Sequence, residues 1–186
     1  MDDLQIFKDR LKEIGISDWL EDWDFKNISE EVGKLQSGQI YLEIGVAFGV
    51  SASLALLSSQ IGVKVIGIDN INWTIRNENI HKLLLMYGAL EKINNWKFIE
   101  SDSDVIGRYW KEGFVDCLFI DGDHTYKGVM ADMALWIPWV KHGGVIMFDD
   151  YNDKTGVKQA VNEVLRDHKA FSDHRIDGEM YICRKI

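Results

Sequence analysis

The sequence predicts a doubly wound α/β fold that takes on an antiparallel strand near its carboxyl end, and three observations carry that prediction. Short apolar, partly β-branched runs at residues 40–44, 64–68, 97–99, 117–120 and 145–148 read as strands buried on both faces. Helical patterns at 51–60, 77–91, 104–110 and 126–140 fill the gaps, giving strand–helix alternation. Finally, Asp177-Gly178 separates two strand-like runs, 171–176 and 180–184, and this dipeptide favours a two-residue hairpin. The last strand should therefore run against the one before it.

The elements follow in order. Residues 2–35 are helical but irregular, with Leu4, Phe7, Leu11 and Ile14 at helical spacing, and Asn27-Ile28-Ser29-Glu30 has the form of a capping box that starts a short helix. Residues 1–37 are thus expected to form a helical cap before the sheet. The first strand runs into a glycine loop and a helix. Pro138, the only proline, should bend or end the helical stretch it lies in. Gly143-Gly144 and Tyr151-Asn152 are expected to bracket a short fifth strand, and Val157, Val161, Val164 and Leu165 mark one face of a helix at 155–168.

A chain of 186 residues with 46% apolar and 11% aromatic residues fits one domain with a sizeable core. The net charge is −9 and Lys and Arg are scattered singly, which argues against DNA or RNA and favours small neutral or cationic ligands. The amino terminus lacks a signal pattern, and the apolar stretch 134–140 is far short of the ~20 residues of a membrane span. A soluble, cytoplasmic protein with no membrane partner is the expectation. Cys117 and Cys183 lie in strand-like runs without ligand spacing and read as buried reduced thiols. Trp110, Trp136 and Trp139 read as core or sheet cover, Trp73 as a pocket wall, and His142, His168 and His174 as surface residues.

Two acidic strand ends are the densest chemical signal. The run at 117–120 ends in Asp121-Gly122-Asp123-His124-Thr125-Tyr126, and the run at 145–148 ends in Asp149-Asp150-Tyr151. Open α/β sheets bind ligands at the carboxyl ends of their strands. Neighbouring strands lie ~4.8 Å apart, so Asp121, Asp149 and Asp150 can converge, and three repelling carboxylates invite a hard cation such as Mg²⁺, Mn²⁺ or Ca²⁺. Adjacent residues of a strand point to opposite faces, so Asp149 and Asp150 share an ion only where the strand has turned. The plainer alternative makes Asp123 and His124 helix caps and Asp149-Asp150 turn residues.

On the other side, Glu43-Ile44-Gly45-Val46-Ala47-Phe48-Gly49-Val50-Ser51 follows the first strand and opens a helix, the setting of a nucleotide loop. Its spacing is Gly-x-x-x-Gly, not Gly-x-Gly-x-x-Gly. An acid two positions before Gly45 would repel a pyrophosphate and suits a ligand with an amino group, S-adenosylmethionine rather than NAD. Asp69 ends the second strand, where a carboxylate accepts from ribose hydroxyls, and Asp102 and Ser103 end the third, within reach of an adenine amino group. Each also has a structural use: packing glycines, a turn cap at Asp69, a helix N-cap at Asp102.

These segments, with Ile66-Gly67-Ile68-Asp69, Phe98-Ile99-Glu100-Ser101-Asp102 and Gly143-Gly144-Val145-Ile146-Met147-Phe148-Asp149-Asp150, resemble the successive signatures of class I S-adenosylmethionine-dependent methyltransferases. The closest flavour is a bacterial branch similar to macrocin-type and catechol-type metal-dependent O-methyltransferases. The resemblance spans 38–186 and implies a Rossmann-like seven-stranded sheet with an antiparallel last strand, S-adenosylmethionine as cofactor and a small hydroxylated acceptor. It also implies Asp121, Asp149 and Asp150 as metal ligands. His124 stands where catechol-type relatives carry a lysine base, which leaves His124 and Asp121 as candidates for the proton-taking group. Residues 1–37 lie outside the resemblance and bear on acceptor or on homo-oligomer formation. An NAD oxidoreductase and a non-catalytic cofactor-binding module are the competing readings.

Overall fold

A computed structural model describes residues 4–16, 21–71 and 75–186. Its strands are β1 (Ile40–Ile44), β2 (Lys64–Asp69), β3 (Trp96–Glu100), β4 (Val115–Ile120), β5 (Val140–Phe148), β6 (Phe171–Asp177) and β7 (Met180–Lys185). They form one seven-stranded sheet in the order β3-β2-β1-β4-β5-β7-β6. β1 to β5 pair in parallel, and β7 pairs antiparallel with both β5 and β6. The hairpin is present one residue on from the expected turn: Asp177 pairs with Met180, and Gly178, at φ 61, and Glu179 make the turn. The order turns between β1 and β4, the switch point at which such sheets open a crevice.

The strand period of two splits the core into two layers. Tyr41, Cys117, Phe119, Val145, Met147 and Ile182 face helices α1 (Leu4–Glu13), α2 (Asp22–Gly33), α3 (Val50–Ser58) and α4 (Ile75–Met86). Leu42, Ile68, Leu118, Ile146, Phe148 and Cys183 face α5 (Ser103–Arg108), α6 (Tyr126–Trp136) and α7 (Thr155–Val161). Both cysteines are buried and free. No helix of the described residues is long and apolar enough to cross a membrane.

Three local expectations are corrected. Asn27 to Glu30 lie inside α2, and the capping box that starts this helix is formed by Glu21 and Asp24. Gly143 and Gly144 lie within β5, which begins at Val140, because a register shift against β4 between Val115 and Cys117 absorbs the irregular segment. The helix expected over 77–91 ends at Met86, and a 3-10 turn spans Leu90–Asn95. Pro138 sits in the 3-10 turn Ile137–Trp139 that terminates α6, as its missing N–H requires. Trp73 lies outside the described residues.

Candidate active site

Backbone hydrogen bonds extend the parallel ladder one step past the strand ends. Ser101 N–H donates to Asp69 O at 3.0 Å, Gly45 to Ile68 O at 2.9 Å, Asp121 to Ile44 O at 2.8 Å and Asp149 to Ile120 O at 3.2 Å. The acidic residues therefore leave the sheet side by side at one end. Over them opens a cavity of about 620 Å³, the size of a small-molecule site. Asp24, Ser51, Asp69, Asp102, Asp121 and Asp149 contribute to its walls, and among the described residues no Lys, Arg or His does.

Asp69 organises the glycine loop. Its Oδ2 accepts from Val46 N–H at 2.9 Å and Ala47 N–H at 2.8 Å, and its Oδ1 accepts from Ile71 N–H at 2.8 Å. Ala47 is held at φ 42 by these bonds. Arg76 from α4, buried, closes the arrangement: its Nη2 lies 3.1 Å from Asp69, its Nε donates to Ala47 O at 2.7 Å, and its guanidinium lies 4.0 Å over the Phe98 ring. Sequence reasoning missed Arg76, since nothing local to α4 announces that it returns to the β2 end.

Gly45 borders the cavity, whereas Glu43 and Gly49 are absent from its walls. Glu43 lies on a strand covered on both faces and is fully buried, accepting from Tyr41 OH at 2.9 Å and from Ser51 Oγ at 2.6 Å. Burial drives its carboxyl up to about 8. Its reach to a ligand is thus through Ser51, which it orients. Gly49 is the left-handed residue before α3, at φ 81, and a side chain there would press on Ile80 and Arg76. On the third strand, Asp102 accepts from Asn70 Nδ2 at 2.7 Å, and Ser103 donates to Asp132, whose carboxyl burial raises to about 6.

At the β4 and β5 ends His124 stands among the acidic side chains. His124 Nδ1 lies 2.8 Å from Asp150 Oδ2, and its Nε2 lies 3.4 Å from Asp121 Oδ1 without a formed hydrogen bond. The imidazole stands between the two carboxylates, and its interaction with Asp121 raises its pKa above the ordinary histidine value. Asp149 neighbours both Asp121 and Asp24, the latter at the start of α2. Asp24 Oδ2 accepts from Glu21 N–H at 2.9 Å, and the Asp24 carboxyl is also hydrogen-bonded to that of Asp149. Burial raises the pKa of Asp24, Asp121 and Asp149, and the neighbouring carboxylates add to it. The strand has turned at Asp150, φ 57, which meets His124, while Asp149 has Asp121 and Asp24 as carboxylate neighbours. Among the described residues no group of three or more His, Cys, Asp or Glu side chains is arranged to hold a metal ion.

A mostly parallel seven-stranded sheet with β7 inserted antiparallel beside β5, and an acidic cavity over its strand ends, defines the class I S-adenosylmethionine-dependent methyltransferase fold. The family described as "Methyltransferase domain" matches residues 42–151, and the chain belongs to it. An uncharacterized protein of Acanthamoeba polyphaga mimivirus is 33% identical over 137 residues, which are 70% of this chain and 61% of that protein. The chain thus spans less than two thirds of that relative. Among solved structures, cofactor-bound Rv0187 from MTB superposes with a TM-score of 0.75 at 14% identity, covering 99% of this chain and 90% of its own. The O-methyltransferase from Bacillus cereus in complex with SAH gives 0.69 at 16% identity, covering 98% and 89%. At these identities the likeness is one of fold.

Proposed function

We propose that the protein is an S-adenosylmethionine-dependent O-methyltransferase for a small hydroxylated acceptor. The cofactor supplies an electrophilic methyl group on a sulfonium. Its positive charges suit a cavity walled by carboxylates and free of basic side chains among the described residues. Ser51 and the backbone at Gly45 would hold the amino acid end, the remaining lone pair of Asp69 Oδ1 would accept from a ribose hydroxyl, and Asp102 and Ser103 would border the adenine. Gly45, Gly49 and Glu43 shape this loop from behind.

The observation that carries the reading is the Asp121–His124–Asp150 row. A hydroxyl acceptor must lose a proton as it attacks, and a base positioned within reach is what the reaction requires of the protein. Asp121 borders the cavity. Behind it, Asp150 Oδ2 lies 2.8 Å from His124 Nδ1; with the proton on Nδ1, Nε2 is the basic nitrogen, 3.4 Å from Asp121. A proton released by the acceptor is taken at Asp121 and passed to His124 Nε2, and the two flanking carboxylates stabilise the imidazolium. The named B. cereus O-methyltransferase supports the choice of oxygen as acceptor atom.

The test is calorimetric titration with S-adenosylhomocysteine and NADH, followed by mass spectrometry of hydroxylated acceptors incubated with S-adenosylmethionine. Binding of S-adenosylhomocysteine alone and an acceptor one methylene heavier is the expected result. Binding of NADH instead would return the oxidoreductase reading, and cofactor binding with no methylated product from any acceptor would favour the binding module.

A further inference from the structure

We infer that α7 positions His124 against Asp150, and that Gly156 is the residue that lets it do so. The inference rests on the proposed methyltransferase reading, in which His124 receives the acceptor's proton, and deepens it. The last ladder bond between the two strand ends, among the described residues, runs from Asp149 N–H to Ile120 O. His124 and Asp150 both lie beyond it, on irregular backbone. Their 2.8 Å approach is therefore fixed from outside the sheet, and α7 touches both segments. A Cβ at residue 156 would stand 2.5 Å from His124 O, 2.5 Å from Tyr126 N and 2.9 Å from Thr125 C. All three are backbone atoms, so no change of rotamer relieves the overlap. Gly156 lies inside α7 and is not among the glycines at positive φ. Its conformation does not call for glycine, and alanine is the better helix former. The contact calls for it: the first turn of α7 lies directly on the chain that carries His124.

On its other side α7 grips the turn that carries Asp150. Lys154, the N-cap, donates its N–H to Asp150 O at 2.8 Å, and Lys158 Nζ donates to Asn152 Oδ1 at 3.1 Å. The buried Tyr151 donates its hydroxyl proton to Asn162 Oδ1 at 2.8 Å, in the π-helical turn Asn162–Arg166 that continues α7. Tyr126, two residues after His124, reaches the same turn through Glu163 Oε2 at 2.9 Å. Helix and turn thus bridge the β4 and β5 segments, while Val157, Ala160 and Val161 are buried and fix the bridge to the core. The charged groups that face His124 are Asp121 after β4, Asp150 after β5 and Lys154 before α7. With Asp150 at Nδ1 the ring is held with Nε2 toward Asp121. A helix displaced from residues 124–126 would leave the imidazole free to rotate and to change tautomer.

The experiment records the ring-nitrogen NMR signals of the histidines in the isotope-labelled full chain, at a pH where the rings are neutral, with those of His124 assigned by their loss in His124→Gln. The wild type should show one tautomer at His124, with separate signals from a protonated and an unprotonated nitrogen. In Gly156→Ala the two signals should move toward those of the exposed His142, the pattern of a ring that exchanges tautomers. Gly144→Ala presses on Val140 and on backbone at the other end of β5, so it controls for lost stability and should keep the wild-type His124 signals. The affinity of Gly156→Ala for S-adenosylhomocysteine should stay within ~2-fold, as for sites without shared partners. Where Gly156→Ala fails to fold, as judged by its melting transition, Tyr151→Phe removes only the bond to Asn162 and should shift the same signals in the same direction. Unchanged His124 signals in the folded variant would overturn the inference, as would a wild-type ring that already exchanges tautomers. An equal displacement in Gly144→Ala, or a parallel loss of S-adenosylhomocysteine affinity, would reduce Gly156 to general packing and overturn it too. Failure of the wild-type chain to bind S-adenosylhomocysteine would count against the methyltransferase reading itself, and the ring signals, which need no ligand, still decide the positioning.

Discussion

Gly45 lies directly against the backbone of Asp121. A Cβ at residue 45 would overlap the Asp121 carbonyl group, and Gly45 also stands at φ 85, where L side chains are strained. The loop beside β1 and the acidic segment after β4 can share one cavity only because this residue has no side chain. Gly45→Ala should therefore push the two strand ends apart. The expected outcome is a loss of ~1–3 kcal/mol of stability by chemical denaturation, with S-adenosylhomocysteine affinity down by about tenfold or more. Unchanged affinity would mean that the loop accommodates the methyl group without moving.

Asp69→Ala is expected to cost more than a ribose contact. It strips Val46, Ala47 and Ile71 of their acceptor and leaves the buried Arg76 guanidinium without its carboxylate. Breaking one side of a buried ion pair costs ~3–5 kcal/mol, so the variant should melt early and bind cofactor poorly. A variant with wild-type stability and weakened binding would confine Asp69 to ligand contact.

His124 must be neutral to accept a proton, and Asp121 raises its pKa above 6.5. Turnover should accordingly climb with pH through a value above 6.5 and then level off. His124→Gln should lower kcat by ~100-fold or more and remove that rising limb. A pH profile identical in the variant would sink His124 as the base.

Stability should depend on pH in a direction set by Glu43. Its carboxyl is raised by burial from 4.5 to about 8, so the folded state holds a proton that the unfolded chain releases. That contribution is complete below pH 4.5 and disappears as pH rises through about 8. Asp24 and Asp149, also raised, act in the same sense. Melting temperature should fall across this window, and Glu43→Gln should flatten the slope, because glutamine keeps an acceptor for Tyr41 and does not ionise. A slope unaltered by the substitution would show that Glu43 is not the source.

The strand ends were legible because each acid closes an apolar run, and ladder geometry then fixes its neighbours. Asp121, Asp149, Asp69 and Asp102 were found in this way, and Asp177-Gly178 announced the reversed strand. Glu43 lies in a run read as buried on both faces, but its hydrogen bonds to Tyr41 and Ser51, rather than a place on the cavity wall, are set by packing that the run does not contain. Asp24 was missed because its helix start was placed at Asn27, although the Glu21-x-x-Asp24 spacing carries an acidic version of the capping box. Its place at the cavity depends on packing against a hairpin far away in sequence, which no local pattern contains. The same holds for Asp150, whose direction is set by the conformation after β5 rather than by its residue type.

The hairpin that reverses β7 also fastens α2. Lys26 binds Asp177 across 151 residues, and Glu31 binds Arg175 and Arg184 across 144 and 153 residues. Such contacts close loops nearly as long as the chain, which makes them late events in folding. α2 is already seated on the apolar layer that includes Tyr41, Cys117 and Phe119, and the hairpin adds its ion pairs to that seat. The cavity floor over β1 to β5 can form earlier, and the wall that Asp24 contributes is fixed only when α2 meets the hairpin.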